Sequence, residues 1–203
     1  GIPGGLLLLL SILTGCAPPP LFPEVPILAP IPPSDATAQI PLRQVIFALS
    51  PLQAIGRESG GLVCAVWGNR LWEDLLYNLN QQQVAQALLR AHPTVSLAQA
   101  GLDGLSPVTS GPPPNIGINA SIIDLRMDIC WPEAGSKDFN YALGKIYMKV
   151  KWQFMTDEGK RQPFMTHTEG ESSFESRVTT EEMFNVAFEQ AIRGLQHNVA
   201  GRK

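Results

Sequence analysis

The stretch Ile116-Gly-Ile-Asn-Ala-Ser-Ile-Ile-Asp-Leu-Arg-Met-Asp-Ile-Cys-Trp131 decides the fold that we expect for this chain. Its apolar residues alternate in one phase as far as Ile122 and in the opposite phase from Ile123 onward. Alternation with a period of two is typical of a β-strand, and a one-residue change of phase is what a β-bulge produces. We therefore predict a long strand over residues 115–131, interrupted by a bulge.

Two further strands are predicted after it. Every second residue from Ala142 to Phe154 is apolar or glycine, and lysines lie among the residues between them. Thr156-Asp-Glu-Gly-Lys160 is a turn sequence, after which the chain returns as a third strand. We therefore expect an antiparallel sheet that consists of residues 115–131, 141–156 and 163–178.

Charged residues of the second and third strands are expected on the solvent face of this sheet. The turn places Lys145 opposite Glu171, and it places Lys149 opposite His167. Glu169 and Glu171 share this face with His167, and such a cluster could act as acid and base or bind a cation. Opposite charges on neighbouring strands also pair. We therefore interpret the cluster as a charge ladder, with no catalytic residue and no metal ligand.

The last element is predicted to be a helix over residues 180–197. Thr179 and Glu182 have the spacing of a capping box, which marks a helix N-terminus. An apolar stripe at helical spacing follows, formed by Phe184, Ala187, Phe188, Ala191, Ile192 and Leu195. We expect this stripe to pack on the sheet face that carries Ile146, Met148, Val150, Trp152 and Phe154.

The first half of the domain gives weaker signals. Residues 45–49 and 62–67 are predicted to be short strands joined by a polar turn at 56–61. A helix is predicted over 71–90, with Asn69 as its N-cap and His92-Pro93 beyond its end. The polar stretch 80–83 could break this helix in two. The fold class is therefore α+β, a single domain with an antiparallel sheet and two main helices packed on one face.

The N-terminal residues predict export and lipidation. Leu6–Leu13 is an apolar run of eight residues, too short to span a bilayer, which needs about 20 residues. It is typical of the apolar region of a signal peptide. Leu13-Thr-Gly-Cys16 resembles the lipobox of bacterial lipoproteins, so we predict that residues 1–15 are a signal peptide and that Cys16 is lipidated. The usual basic region is missing from the start, which we interpret as truncated.

Residues 16–41 are predicted to be the lipidated cysteine and a proline-rich linker. Eight prolines between residues 18 and 33 favour an extended polyproline II conformation. Such a tether would hold a globular domain, residues 42–203, several nanometres from the bilayer. The linker also contains apolar residues that could dock on the domain or on a partner, namely Val25, Ile27, Leu28 and Ile31.

Charge and motifs exclude several classes of function. The formal net charge is −3 and the sequence pI is about 5.6, so no basic stripe exists to neutralise the phosphates of a nucleic acid. Arg57-Glu-Ser-Gly-Gly resembles the serine motif of chymotrypsin-like proteases, but all three histidines follow Ser59, whereas that family needs one before it. We predict no enzymatic activity and no cofactor. The predicted contact with the membrane is through the lipid.

The three cysteines are expected to divide into one lipidation site, Cys16, and one pair. Cys64 and Cys130 lie in apolar, strand-like stretches and match no zinc or redox spacing. A disulfide between them is one possibility, since exported proteins meet an oxidising environment. Two buried free thiols are the other.

The block from Ile116 to Gln196 resembles the C-terminal half of the YajG-like family of bacterial lipoproteins, and the first half of the chain resembles that family only in the order of its elements. The resemblance rests on the strand Asn115-Ile-Gly-Ile-Asn-Ala, the Asp-Glu-Gly-Lys turn, and the terminal helix Met183-Phe-Asn-Val-Ala-Phe-Glu-Gln-Ala-Ile-Arg-Gly-Leu195. It implies a lipoprotein domain without known catalytic residues. Ala17, in place of Asp after the lipidated cysteine, favours the outer membrane. We therefore expect a periplasm-facing domain that binds envelope proteins.

A second family gives an alternative function. Trp67-Gly-Asn-Arg-Leu-Trp-Glu-Asp-Leu75 is similar to the segment that opens the first long helix in auxiliary lipoproteins of ABC-type lipid transporters, although Arg70 and Trp72 are not adjacent here. This resemblance implies an accessory protein that handles lipid or gates its transport. It predicts a deep apolar pocket between the sheet and a helix.

Overall fold

The computed structural model describes residues 22–32, 36–60, 64–72, 81–103, 116–131, 141–156 and 161–202. Over these residues the fold is α+β, with one seven-stranded sheet and three helices. In chain order the elements are β1 Thr37–Phe47, β2 Ala54–Gly60, β3 Ala65–Leu71, α1 Gln81–Ala91, β4 Thr94–Ala98, α2 Gln99–Asp103, β5 Ile116–Trp131, β6 Tyr141–Thr156, β7 Arg161–Thr179 and α3 Thr180–Ala200.

The sheet is mixed, not antiparallel as the sequence predicted. The three long strands β5, β6 and β7 do pair antiparallel, with β6 in the middle. The other edge of β5, however, pairs in parallel with two strands in succession, β1 beside residues 118–122 and β2 beside residues 127–131. β4 extends the sheet beyond β1, and β3 extends it beyond β2. The parallel pairs join segments about 70 residues apart in the chain, and local sequence patterns do not specify such contacts.

The polar stretch predicted as a turn at 56–61 is largely a strand. β2 covers Ala54–Gly60 and has neighbours on both edges, so the sheet satisfies its backbone groups despite its polar composition. β3 ends at Leu71, and Asn69 lies inside this strand, so it is not a helix N-cap. Of the helix predicted over 71–90, α1 covers Gln81–Ala91, while 73–80 lie outside the described residues.

The sheet also begins earlier than predicted. β1 starts at Thr37, within the predicted linker, and Thr37–Pro41 pair antiparallel with β4. From Leu42 onward the strand leaves β4 and pairs with β5. β4 and α2 were not predicted, because each contains five residues and is too short to show a clear periodicity.

The predicted bulge in the long strand is confirmed. The register between β5 and β6 shifts between Ile122 and Asp124, where the apolar phase of the sequence changes. The shift keeps the apolar residues on one side of the sheet, since Ile122 and Leu125 are both fully buried. A bulge is the local irregularity that allows this.

The core lies between the sheet and α3, as predicted. Trp152 and Phe188 meet at 5.5 Å between ring centroids, and both are completely buried. Gly170 of β7 lets the helix approach closely, because a Cβ at this position would lie 1.8 Å from the carbonyl oxygen of Ala187. α1 packs against β1 and α3, and α2 packs against β4 and α3. The predicted helix cap is confirmed: the backbone N–H of Glu182 donates to Thr179 Oγ1 at 3.1 Å.

Candidate functional site

The side of the sheet opposite α3 carries a band of charged side chains, which we call the polar face. Strand alternation places these residues there, because their apolar neighbours point towards the helix. The exposed fraction of each paired side chain is about a quarter to two fifths. The polar face consists of Arg57, Asp124, Arg126, Asp128, Lys145, Tyr147, Lys149, Glu169 and Glu171.

The charges of the polar face form four ion pairs. The distances are 2.6 Å for Arg57–Asp128, 3.1 Å for Arg126–Asp124, 2.8 Å for Lys145–Glu171 and 3.1 Å for Lys149–Glu169. Exposed pairs of this kind stabilise a fold by at most about 1 kcal/mol each. The four pairs contain equal numbers of cations and anions, so the pairs are neutral as a set. Lys151 lies on the same side of β6, opposite His167, and is not a member of these pairs.

The predicted charge ladder exists, but its register differs by two residues. Met155 pairs with Arg161, as a turn centred on Glu158 requires, whereas Gln153 pairs with Met165. β7 therefore contains two extra residues near the turn. Pro163 lies in this irregular stretch, between the paired residues Arg161 and Met165, and proline in strands is typically found at such irregular positions because it cannot donate a ladder hydrogen bond. Beyond this point Lys149 lies opposite Glu169, not opposite His167.

Tyr147 lies at the centre of the polar face and is itself almost fully buried. Burial raises the pKa of its phenol well above the ordinary value. The negative charge of Glu169, and the hydrogen bond that Tyr147 donates to it, raise this pKa further. The guanidinium of Arg126 lies 5.5 Å from the ring centroid. Tyr147 therefore stays protonated, with Glu169 as the acceptor of the hydrogen bond from its hydroxyl.

Glu58 is a buried carboxylate whose role no sequence pattern indicates. Only 3% of this residue is exposed, since β2 places it beside Ile129 of β5. Its Oε1 accepts a hydrogen bond of 2.7 Å from Trp131 Nε1, and its Oε2 accepts one of 2.5 Å from Arg70 Nε. It lies in a polar, glycine-rich stretch that is typical of a turn, so the sequence does not indicate that this side chain is buried. The arrangement joins β2, β3 and β5 through one side chain.

We expect the substitution Glu58→Gln to destabilise the fold by about 1.5–3 kcal/mol, because hydrogen bonds to charged groups contribute this much when buried. The amide keeps one acceptor but turns an N–H₂ group towards Trp131 or Arg70. Urea unfolding followed by tryptophan fluorescence measures the change. Glu175→Gln, at an exposed position of β7, is the matched control and should change stability little. Equal effects of both substitutions would contradict a structural role for Glu58.

Ser59, which lies in the stretch that resembles a protease motif, has a structural partner. The residue is 6% exposed, and its hydroxyl donates to the carbonyl oxygen of Ile129 at 3.1 Å. It lies in β2 and not in a turn. The Ser59 hydroxyl therefore links β2 to β5 through this hydrogen bond.

The predicted cysteine pair is joined in this structure. Cys64 and Cys130 form a disulfide with their Cα atoms 5.5 Å apart. Cys64 precedes β3 at the end of the β2–β3 connection, and it has a positive φ of 49°. Ser59 of β2 pairs with Cys130 of β5, and Gly60 pairs with Ala65, the residue after Cys64, so Cys64 lies within reach of Cys130. Cys16, the predicted lipidation site, lies outside the described residues.

Residues 22–32, which we call the N-terminal strap, lie on the domain and do not extend away from it. The ring of Phe22 packs 5.1 Å from Lys145 Nζ on the polar face. Further along, Pro26 and Leu28 line a surface cavity of about 240 Å³ together with Lys149, His167 and Glu169. The strap then reaches α3, where the Ala29 carbonyl oxygen lies 3.0 Å from His197 Nε2. Residues 22–32 therefore dock on the domain, which is the alternative that the apolar residues of the linker allowed, and they do not form a free spacer.

Two further observations concern metal ligands and membrane-spanning helices among the described residues. Among them, no three histidine, cysteine, aspartate or glutamate residues are grouped so that they could hold a metal ion. Within the same part of the chain, every helix is too short or too polar to cross a membrane.

A scan against protein-family models finds no match, and a search of curated proteins finds no similar sequence. Among solved structures, the chain is similar to a protein from Caulobacter crescentus that is provisionally described as a lipoprotein. The two sequences are 14% identical, and the match covers 58% of this chain and 81% of that chain. The TM-score is 0.30, so this similarity carries no argument about the function of the present chain.

Proposed function

We propose that this chain is a lipoprotein of the bacterial cell envelope, anchored through Cys16, whose domain binds other envelope proteins without catalysing a reaction. The proposal includes an outer-membrane location, a domain that faces the periplasm, and membership of the YajG-like family. The lipobox-like sequence Leu13–Cys16 carries it.

The arrangement of polar groups supports a binding role over a catalytic one. The charges of the polar face are paired with each other, and Glu58 and Ser59 are occupied by hydrogen bonds between strands. A general acid or base needs a free group that can reach a substrate. Groups that are already paired with each other in this way offer no such free group, which favours contact with a partner over catalysis.

The alternative is an accessory lipoprotein of an ABC-type lipid transporter, which predicts an apolar pocket between sheet and helix. In this structure four aromatic side chains, each at most 1% exposed, fill that space: Trp152, Phe154, Phe184 and Phe188. A filled interface favours the binding role. Mass spectrometry of gently purified protein separates the two functions, since bound phospholipid supports transport, whereas protein partners without lipid support the first proposal.

Replacing the proposed anchor tests the location directly. Cys16→Ser removes the thiol that would be acylated, so we expect the protein to move from the membrane fraction to the soluble fraction of the envelope. Thr14→Ser, which keeps a small residue in the lipobox-like stretch, is the control and should remain in the membrane fraction. A Cys16→Ser chain that still sediments with membranes would overturn the anchor.

A further inference from the structure

We propose that the polar face and the N-terminal strap lie against the headgroup surface of the bilayer, with α3 on the far side of the domain. This inference rests on the proposed anchor at Cys16. It goes further than that proposal because it assigns a partner, the lipid headgroup layer, to one particular side of the sheet.

The length of chain between the anchor and the strap limits how far the domain can be from the membrane. Cys16 and Phe22 are six residues apart in the sequence, and an extended chain spans at most about 3.6 Å per residue. The acylated cysteine is therefore within about 21 Å of Phe22. Since the ring of Phe22 packs 5.1 Å from Lys145 Nζ, the part of the polar face around Lys145 is held close to the bilayer.

The direction of the strap decides which side of the domain faces the lipid. Phe22, the first residue of the strap, contacts Lys145 on the polar face. The strap reaches the C-terminal part of α3 only at Ala29. The chain therefore enters the domain from the polar side. If α3 faced the bilayer instead, the six residues from Cys16 to Phe22 would have to cross the thickness of the domain, a distance that the strap itself covers in the seven residues from Phe22 to Ala29. A helix with its side chains is about 10–12 Å across, and a sheet layer adds roughly 10 Å. That path uses up the available reach.

The chemistry of the polar face fits a headgroup layer. Its four ion pairs present both signs of charge without a net excess, as do zwitterionic headgroups. The lysine stems can lie along the surface while their ammonium groups stay hydrated. The acyl chains supply the attachment, so we expect the orientation to be insensitive to moderate salt.

Short-range quenching of a fluorophore by the bilayer tests the orientation. Ser173→Cys places a label opposite Lys145 on an exposed position of β7, and Glu189→Cys places one on the outer side of α3, where the side chain is 45% exposed. The lipidated chain is reconstituted in phosphatidylethanolamine–phosphatidylglycerol vesicles that contain a headgroup-attached quencher. We expect at least about twofold stronger quenching at 173 than at 189, because the two positions differ in height by about 20 Å.

A longer tether is the matched control. Twenty glycine and serine residues inserted after Pro20 add about 25 Å of mean reach, so the difference between the two labels should disappear. Vesicle flotation is measured first for every variant. A chain that does not float overturns the anchor and the orientation with it. A chain that floats but shows equal quenching at both sites, stronger quenching at 189, or no quenching overturns the orientation alone, and the last result leaves the polar face to a protein partner.

Discussion

Phe188→Ala should lower the free energy of unfolding by about 3–5 kcal/mol, the range for removing a large aromatic side chain from a packed core. Phe188 is completely buried at the centre of the sheet–helix interface. Its ring centroid lies 5.5 Å from that of Trp152 and 5.7 Å from that of His92. The close approach of α3 to β7 at Gly170 leaves the helix little freedom to collapse into the resulting cavity.

Urea unfolding monitored by circular dichroism measures this loss. Met165→Ala is the matched control, because Met165 is 49% exposed on the other side of β7. Its removal should cost less than about 0.5 kcal/mol, as for most surface substitutions. A Phe188→Ala variant that unfolds at the same urea concentration as the control would mean that α3 does not pack on the sheet in this way.

The elements predicted well from the sequence are those that local patterns specify. The alternation from Ile116 to Trp131 depends on which side of the strand faces the core, so its change of phase predicts the bulge. The Thr179–Glu182 cap follows from two residues three apart. The core face of β6 is also predicted, because every second residue from Ala142 to Phe154 is apolar or glycine, and those from Ile146 to Phe154 are all buried.

The elements predicted poorly are those that distant contacts specify. β2 contains arginine, glutamate, serine and two glycines, a composition typical of turns. It forms a strand because β5 and β3 provide hydrogen-bond partners on its two edges. Its pairing with β5 also creates the buried place for Glu58, whose partner Trp131 is 73 residues away. No pattern within either segment indicates that they meet.

In the candidate site too, features that local patterns specify are predicted, and features that distant contacts specify are not. Alternation predicts that the lysines of β6 and Glu169 and Glu171 of β7 share a face, and the ion pairs agree with this. The two-residue displacement of the register comes from the irregularity near Pro163, which a turn sequence alone does not locate. The docking of the strap rests on single contacts such as that of Phe22 with Lys145, which composition does not specify.

The disulfide should contribute about 4 kcal/mol to the stability of the fold. Cys64 and Cys130 are 66 residues apart in the sequence, and closing a loop of this length removes about 4 kcal/mol of conformational entropy from the unfolded chain in the loop-closure model. The bond also fastens the β2–β3 hairpin to the end of β5, which is 4% exposed at Cys130. We therefore expect Cys64→Ala/Cys130→Ala to unfold at a clearly lower urea concentration.

A Cys16→Ser background makes this test specific, since Cys64 and Cys130 are then the only cysteines in the chain. Dithiothreitol should destabilise the Cys16→Ser protein to about the level of the chain that also carries the two alanines, and it should leave that second chain unchanged. This comparison separates the crosslink from the packing of the two side chains, because the reduced protein keeps both sulfur atoms. Two free thiols in unfolded, unreduced Cys16→Ser protein would show that the bond does not form. The stability of the Cys16→Ser protein would then come from packing without a crosslink, and dithiothreitol would have no effect on it.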